Sequence, residues 1–168
     1  VVMANADSPE EVRRSVRKGA AGVGLFRTEA LFLRSRSMPS EEEQFEHYKA
    51  VVEGADSLPV TIRTLDLGGD KIIDGSSEFK EGNPFMGFRA IRYCLRNVDV
   101  FLAQLRAILR ASDHGKVRIM FPMVSGVGEI LSAGKLVEEA KAQLRDKGQP
   151  FDPDTPIGCM IETPSAVT

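Results

Sequence analysis

The sequence predicts an α/β protein, a truncated (β/α)8 TIM barrel covering about the first five strands and four helical connections of that architecture. Three observations carry this expectation. Five short β-type runs recur along the 168 residues, each separated from the next by a helical stretch, and such alternation builds a parallel sheet. The runs are continuous apolar stretches rather than strict alternations, as strands covered on both faces require. A doubly wound nucleotide fold would carry a Gly-rich turn after its first strand, and ANADSPEE has none. Five strands in this length instead extrapolate to roughly 270 residues for eight, near the size of a (β/α)8 barrel. With no low-complexity linker, residues 1–168 read as a single partial domain.

The elements follow in order. VVMANA (1–6) is the first strand, and Ser8-Pro9-Glu10-Glu11 is a capping box with Pro at the first helical position, opening a helix that stops near Gly19. AGVGLF (21–26) is the second strand. Ser40-Glu41-Glu42-Glu43 repeats the capping box, and Phe45, Tyr48 and Val52 then fall on one apolar face. PVTIRTLD (59–66) is the third strand. After a long loop, a helical tract over about 88–112 carries Ile91, Leu95, Leu102, Leu105, Ile108 and Leu109, with a break around Asn97 to Asp99 and an end at Gly115. VRIMFPMV (117–124) is the fourth strand; a helix from about Val127 to Lys147 closes at Gly148, and IGCMIE (157–162) is the fifth strand. Val1 stands where an initiator Met would, and IGCMIETPSAVT closes a strand and opens the next helix. The sequence therefore reads as a piece of a longer chain.

Composition narrows the function. Hydrophobic residues make up 42% and charged residues 27%, the balance of a globular protein with a core. The net charge of −2, with Lys and Arg scattered, argues against a nucleic-acid or anionic-membrane surface. Any anion site must be local. Cys94 and Cys159 lack the spacing of a disulfide framework or a zinc site, fit a reducing cytoplasm, and read as small core residues. No apolar run is long enough for membrane insertion, and the N-terminus lacks the pattern of a secretory signal.

Charged residues gather at the carboxyl ends of the strands, where parallel α/β folds bind ligands. Strand 2 ends in Arg27-Thr28-Glu29; strand 3 carries Arg63 near its end and runs into Asp66-Leu67-Gly68-Gly69-Asp70-Lys71, then a long loop to Asn83-Pro84 and Arg89. Strand 5 ends in Glu162-Thr163-Pro164. Three arginines and a lysine converging on one rim call for an anion, because their mutual repulsion and desolvation are otherwise uncompensated. A small molecule bearing both phosphate and carboxylate would use arginine's planar fork, with Gly68-Gly69 allowing close backbone approach. A plainer reading pairs Arg27 with Glu29 or Asp66. Arg89 opens a helix, where a nearby anion would relieve the macrodipole's disfavour of a cation. Glu162, as a buried carboxylate ending an apolar strand, needs a cation: a divalent metal or an arginine. His47 and His114 draw no catalytic role from their surroundings.

Taken together, GVGLFRTE, IRTLDLGGDK, NPFMGFRAIR, QLRAILRAS, RIMFPM and MIETP resemble the phosphoenolpyruvate-binding domain of the phosphoenolpyruvate-protein phosphotransferases, Enzyme I of the bacterial phosphotransferase system. The motifs occur in order along essentially the whole chain. Pyruvate phosphate dikinase and phosphoenolpyruvate synthase share the Arg-Thr-Glu, Asn-Pro and Glu-x-Pro elements but differ after strand 3, where LDLGGDK matches the Enzyme I form. The nitrogen-related branch shares the core motifs.

The resemblance implies that Arg27, Arg63 and Lys71 hold the phosphoryl group of phosphoenolpyruvate with Arg89 alongside, and that Glu162 is one of two Mg²⁺ carboxylates. It implies transfer of that group to a histidine on a separate N-terminal domain and on to the carrier protein HPr in sugar uptake, with release of pyruvate. The acceptor histidine, an Asn-Asp strand bearing the second metal ligand, a following arginine and a proton-donating cysteine fall outside these residues, so no catalytic residue is expected within the fragment, which alone is expected to be inactive. Cys159 lies in the wrong strand to substitute. After Lys71 the family commonly has a Leu-Pro-Tyr-like segment, whereas here the loop reads IIDGSSEFKEG. The competing class is a non-enzymatic half-barrel acting as a binding or assembly module. Unpaired strand edges of a half-barrel favour a homodimer or swapped oligomer.

Overall fold

In the computed structural model the described residues are 1–34, 38–67 and 87–167. Their strands are β1 (Ala4–Ala6), β2 (Val23–Phe26), β3 (Val60–Arg63), β4 (Val117–Phe121) and β5 (Ile157–Cys159). The helices are α1 (Pro9–Arg17), α2 (Glu29–Arg34), α3 (Glu41–Gly54), α4 (Ala90–Arg96), α5 (Val98–Ala111) and α6 (Val127–Asp146). Every strand pairs in parallel with its successor, giving one five-stranded sheet of order β1-β2-β3-β4-β5. A doubly wound sheet reverses its strand order at a switch point; an order that never reverses is that of a barrel wall. The expected partial barrel is therefore the architecture found, with its strands and longer helices inside the stretches the sequence assigned to them.

Local chemistry explains the boundaries. Ser8 caps α1 by accepting the Glu11 N–H at 3.3 Å, but the Glu11 carboxylate returns to the Asp7 N–H at 2.8 Å rather than to the cap residue's own. At α3 the box is complete: Ser40 Oγ accepts from Glu43 N–H at 3.2 Å and Glu43 accepts the Ser40 N–H at 2.7 Å. The break between α4 and α5 falls at Asn97, whose side-chain amide donates to the Tyr93 carbonyl at 2.9 Å. The short α2 was not expected; six residues are too few for apolar periodicity to show.

The core lies between the sheet and its helices. Val23, Phe26, Val60, Ile62, Val117, Ile119 and Phe121 pack with Tyr48 and Val52 of α3, Phe101, Leu105 and Ile108 of α5, and Val137 and Leu144 of α6. Along β3, Val60 and Ile62 are buried while Thr61 and Arg63 are half-buried; along β4, Arg118 is exposed between buried Val117 and Ile119. Among the described residues the sheet is thus covered on one face, not both as the apolar runs suggested. On α3, Gln44 is buried beside Tyr48, and Phe45 is partly buried against the core with its ring beneath the Arg110 guanidinium at 3.8 Å.

Candidate functional site

Because all five strands are parallel, their carboxyl ends share one rim. Asp7 follows β1, Arg27 follows β2, Arg63 is the last residue of β3, and Arg89 caps α4. The structure brings these together with Glu29, the first residue of α2, and Asp66. Arg63 sits at the centre. One terminal nitrogen meets Glu29 Oε1 at 3.1 Å and the other meets Asp66 Oδ2 at 3.0 Å. Asp66 Oδ1 in turn accepts from Arg89 at 2.8 and 3.2 Å, and the Asp66 N–H donates to Glu29 Oε1 at 3.0 Å. Arg27 presents one edge, Nε and Nη2, to the two oxygens of Asp7, with 2.7 Å for the Nη2 contact.

This geometry corrects two expectations. The three arginines do not lack anionic partners: Asp7, Glu29 and Asp66 neutralise them one for one. Arg27 pairs with neither Glu29 nor Asp66 but with Asp7, whose place just beyond a strand end was the available signal. Arg63 and Asp66 are only 12% and 11% exposed, so their attraction is weakly screened, whereas the Arg27–Asp7 pair, 48% and 40% exposed, is worth little in isolation. Arg63 Nε is buried and has no hydrogen-bond partner among the described residues, although Nη2 on the same edge is held by Glu29.

Glu162 differs more sharply. β5 ends at Cys159, and Glu162 lies beyond it as an exposed residue, not a buried one. One of its oxygens accepts the Met123 N–H at 2.7 Å. Met123 and Ala90 both hold positive φ, 55° and 53°, a conformation non-glycine residues avoid. Two of the four such residues among the described ones thus lie beside Glu162 and Arg89, the other two being Asp56 and Ser57 before β3. No group of three or more His, Cys, Asp or Glu gathers as a ready metal cage among the described residues. An open carboxylate on a polar rim nonetheless suits Mg²⁺, which takes one or two protein carboxylates and fills its octahedron with water and substrate oxygens. Lys71, the remaining expected phosphate ligand, lies outside the described residues.

The cysteines behave as small core groups. Cys94 is buried and its thiol is pushed up to about 12, first by desolvation and then by the Asp66 charge. Cys159 is part-buried. His47 packs its ring against Phe26 and Tyr48, and His114 lies against Phe45 and 3.6 Å from Glu53.

Residues 1–168 match the family described as PEP-utilising enzyme, PEP-binding domain. The chain is 47% identical over 163 residues to the phosphoenolpyruvate-protein phosphotransferase of Priestia megaterium, covering 97% of this chain and 28% of that protein. It is 46% identical over 165 residues to the protein of that name from Latilactobacillus sakei (98% and 29%) and 47% identical over 162 residues to that of Staphylococcus carnosus strain TM300 (96% and 28%). The chain thus spans a little over a quarter of the length of the curated relatives it matches.

Proposed function

The chain belongs to the PEP-utilising enzymes, matching their PEP-binding domain throughout, and from that premise we propose that it is the phosphoenolpyruvate-binding part of a phosphoenolpyruvate-protein phosphotransferase. The observation that supports this reading best is Arg63: a central guanidinium at the rim, fixed by Glu29 and Asp66 and joined through Asp66 to Arg89. Arg27, Arg89 and Lys71 would join it around the phosphoryl oxygens, as paired arginine donors suit.

The reaction moves a phosphoryl group from the enol oxygen of phosphoenolpyruvate to an imidazole nitrogen. The P–O bond breaks with its electron pair left on oxygen, the N–P bond forms, and the enolate takes a proton to give pyruvate. In such transfers positioning and charge stabilisation do most of the work. Arg27, Arg63 and Arg89 are balanced by Asp7, Glu29 and Asp66, and Glu162 adds a further negative charge, while a phosphate ester adds about −1.5 to −2 charge and the substrate carboxylate a further one. That excess requires another cation. Mg²⁺ at Glu162 would supply Lewis-acid neutralisation of the phosphoryl oxygens. The histidine acceptor, HPr, a cytoplasmic setting and a role in sugar uptake belong to the same proposal. No helix among the described residues is long and apolar enough to cross a membrane. The single partial domain would be completed by further barrel strands or by a second copy at the β5 edge, where Ile157 of β5 and Ile161 just beyond it are 41% and 62% exposed; sedimentation at high concentration reads the latter.

The test is phosphoryl transfer from labelled phosphoenolpyruvate in the full-length protein with Mg²⁺. Arg63→Ala should lower the rate by at least about 10²–10³-fold, the loss typical of one transition-state charge partner, while circular dichroism stays native. Retained turnover would show that the phosphate lies elsewhere.

A further inference from the structure

Directly beneath Arg63 lies a chain of uncharged polar side chains in the core. Thr28, Gln44 and Gln104 are each 1% exposed and Tyr48 is fully buried. Gln104, on α5, donates from its amide nitrogen to Thr28 Oγ1 at 3.4 Å and to Tyr48 OH at 3.2 Å, and its amide oxygen accepts the Leu65 N–H at 3.0 Å. The hydroxyls pass the order onward: Thr28 donates to the Arg63 carbonyl at 3.1 Å, and Tyr48 donates to Gln44 Oε1 at 3.2 Å. Gln44 closes the chain on the Pro39 carbonyl at 3.0 Å. Its ends are main-chain groups that can only accept or only donate, so the direction of every bond and the orientation of the Gln104 amide are fixed.

Apolar side chains would pack α3 against α5 at lower desolvation cost than this network. What the network adds is control of the main chain where β3 ends. The Arg63 carbonyl and the Leu65 N–H are held by Thr28 and Gln104, and the next N–H, that of Asp66, by Glu29. Three main-chain groups over residues 63–66 are thus fixed by side chains from β2's exit, α2 and α5. These residues carry the guanidinium and the carboxylate at the centre of the rim.

We propose that Gln104, acting through Thr28 and the Leu65 N–H, is a positioning residue that sets Arg63 and Asp66 in register for phosphate. This rests on the functional reading above. In the full-length enzyme, Gln104→Met, similar in length but unable to make these bonds, and Thr28→Val, isosteric but lacking the hydroxyl, should each raise the KM for phosphoenolpyruvate at least tenfold. Thr28→Ser, which restores the hydroxyl, should return the KM to within about twofold of wild type. A merely structural role would lower the melting temperature and the active fraction, hence apparent kcat, without moving KM. An unchanged KM in folded Thr28→Val, or a failure of Thr28→Ser to recover, overturns the inference even if Gln104→Met does not fold. A wild-type enzyme with no phosphoenolpyruvate-dependent phosphorylation would instead refute the functional reading, and the inference with it.

Discussion

Replacing Asp66 by Asn tests whether the rim is a self-neutralised anion site. The Asp66 carboxylate serves Arg63 at 3.0 Å and Arg89 at 2.8 and 3.2 Å, and all three side chains are largely buried. Asparagine keeps one acceptor oxygen and removes the charge. Stranding a buried charge costs about 3–5 kcal/mol, and losing one charge-assisted hydrogen bond about 1.5–3 kcal/mol. Arg63 and Arg89 are 12% and 22% exposed, so solvent recovers part of the loss, and about 2–3 kcal/mol is expected. With a urea m-value of about 2 kcal/mol/M, the unfolding midpoint falls by about 1–1.5 M. The variant also leaves Arg27, Arg63 and Arg89 with one positive charge in excess of Asp7 and Glu29, so inorganic phosphate should stabilise it more than wild type. A site filled to 100 times its Kd returns about 2.7 kcal/mol, enough to offset the loss. The assay is urea unfolding with and without phosphate at constant ionic strength. An unchanged midpoint, or a loss with no greater phosphate response than wild type, would refute the reasoning.

Three further outcomes are expected. Gly22→Ala should lower the melting temperature by about 3–8 °C, because the new methyl would sit 2.6 Å from the Pro59 carbonyl at a φ of 150° and overpack the start of β2 by about 1–3 kcal/mol; scanning calorimetry reads it. Burial holds the Tyr48 hydroxyl and the Cys94 thiol neutral by raising both above their ordinary values of 10.0 and 9.0. The unfolded chain therefore releases those protons first, so their contribution to stability is intact below pH 9 and falls by about 1.4 kcal/mol per pH unit above pH 9 for Cys94 and above pH 10 for Tyr48; urea midpoints from pH 8 to 11 should decline accordingly. Native protein should label at part-buried Cys159 well before buried Cys94, with peptide mass spectrometry assigning the order.

The fold was legible because its signals are local. Ser40 and Glu43 announce α3 through neighbouring residues, Gly148 at φ 63° ends α6, and Asn97 marks the break between α4 and α5. The order of the strands followed from their alternation with helices. What local patterns could not supply was the covering of the sheet: continuous apolar runs predicted two covered faces, yet Arg118 and half-buried Thr61 stand on the other face. Glu162 was misjudged for a related reason, since an apolar run preceding it says nothing about whether anything packs over its end. The arginines were found by their place at strand ends, but their partners depend on contacts between segments distant in sequence. Arg27–Asp7 and Arg63–Glu29 join separate strand-end segments, and Gln104 reaches Thr28 across 76 residues.

The pairing of the arginines bears on how such a site discriminates. A free cluster of guanidinium groups would attract any anion, whereas here each arginine already has a carboxylate, and an incoming phosphate must compete with it. Competition favours a ligand that brings both several oxygens and its own counter-cation, because only then are the carboxylates and the phosphate satisfied together. Inorganic phosphate alone would add negative charge to arginines that are already neutralised. On the proposed reading, phosphoenolpyruvate with Mg²⁺ at Glu162 restores the balance, so removing the metal should weaken binding to the wild-type enzyme far more than to Asp66→Asn, where the missing carboxylate has already made room for the charge. Equal metal dependence in the two proteins, read by calorimetric titration of the full-length enzymes, would mean that the carboxylates at the rim do not set its selectivity.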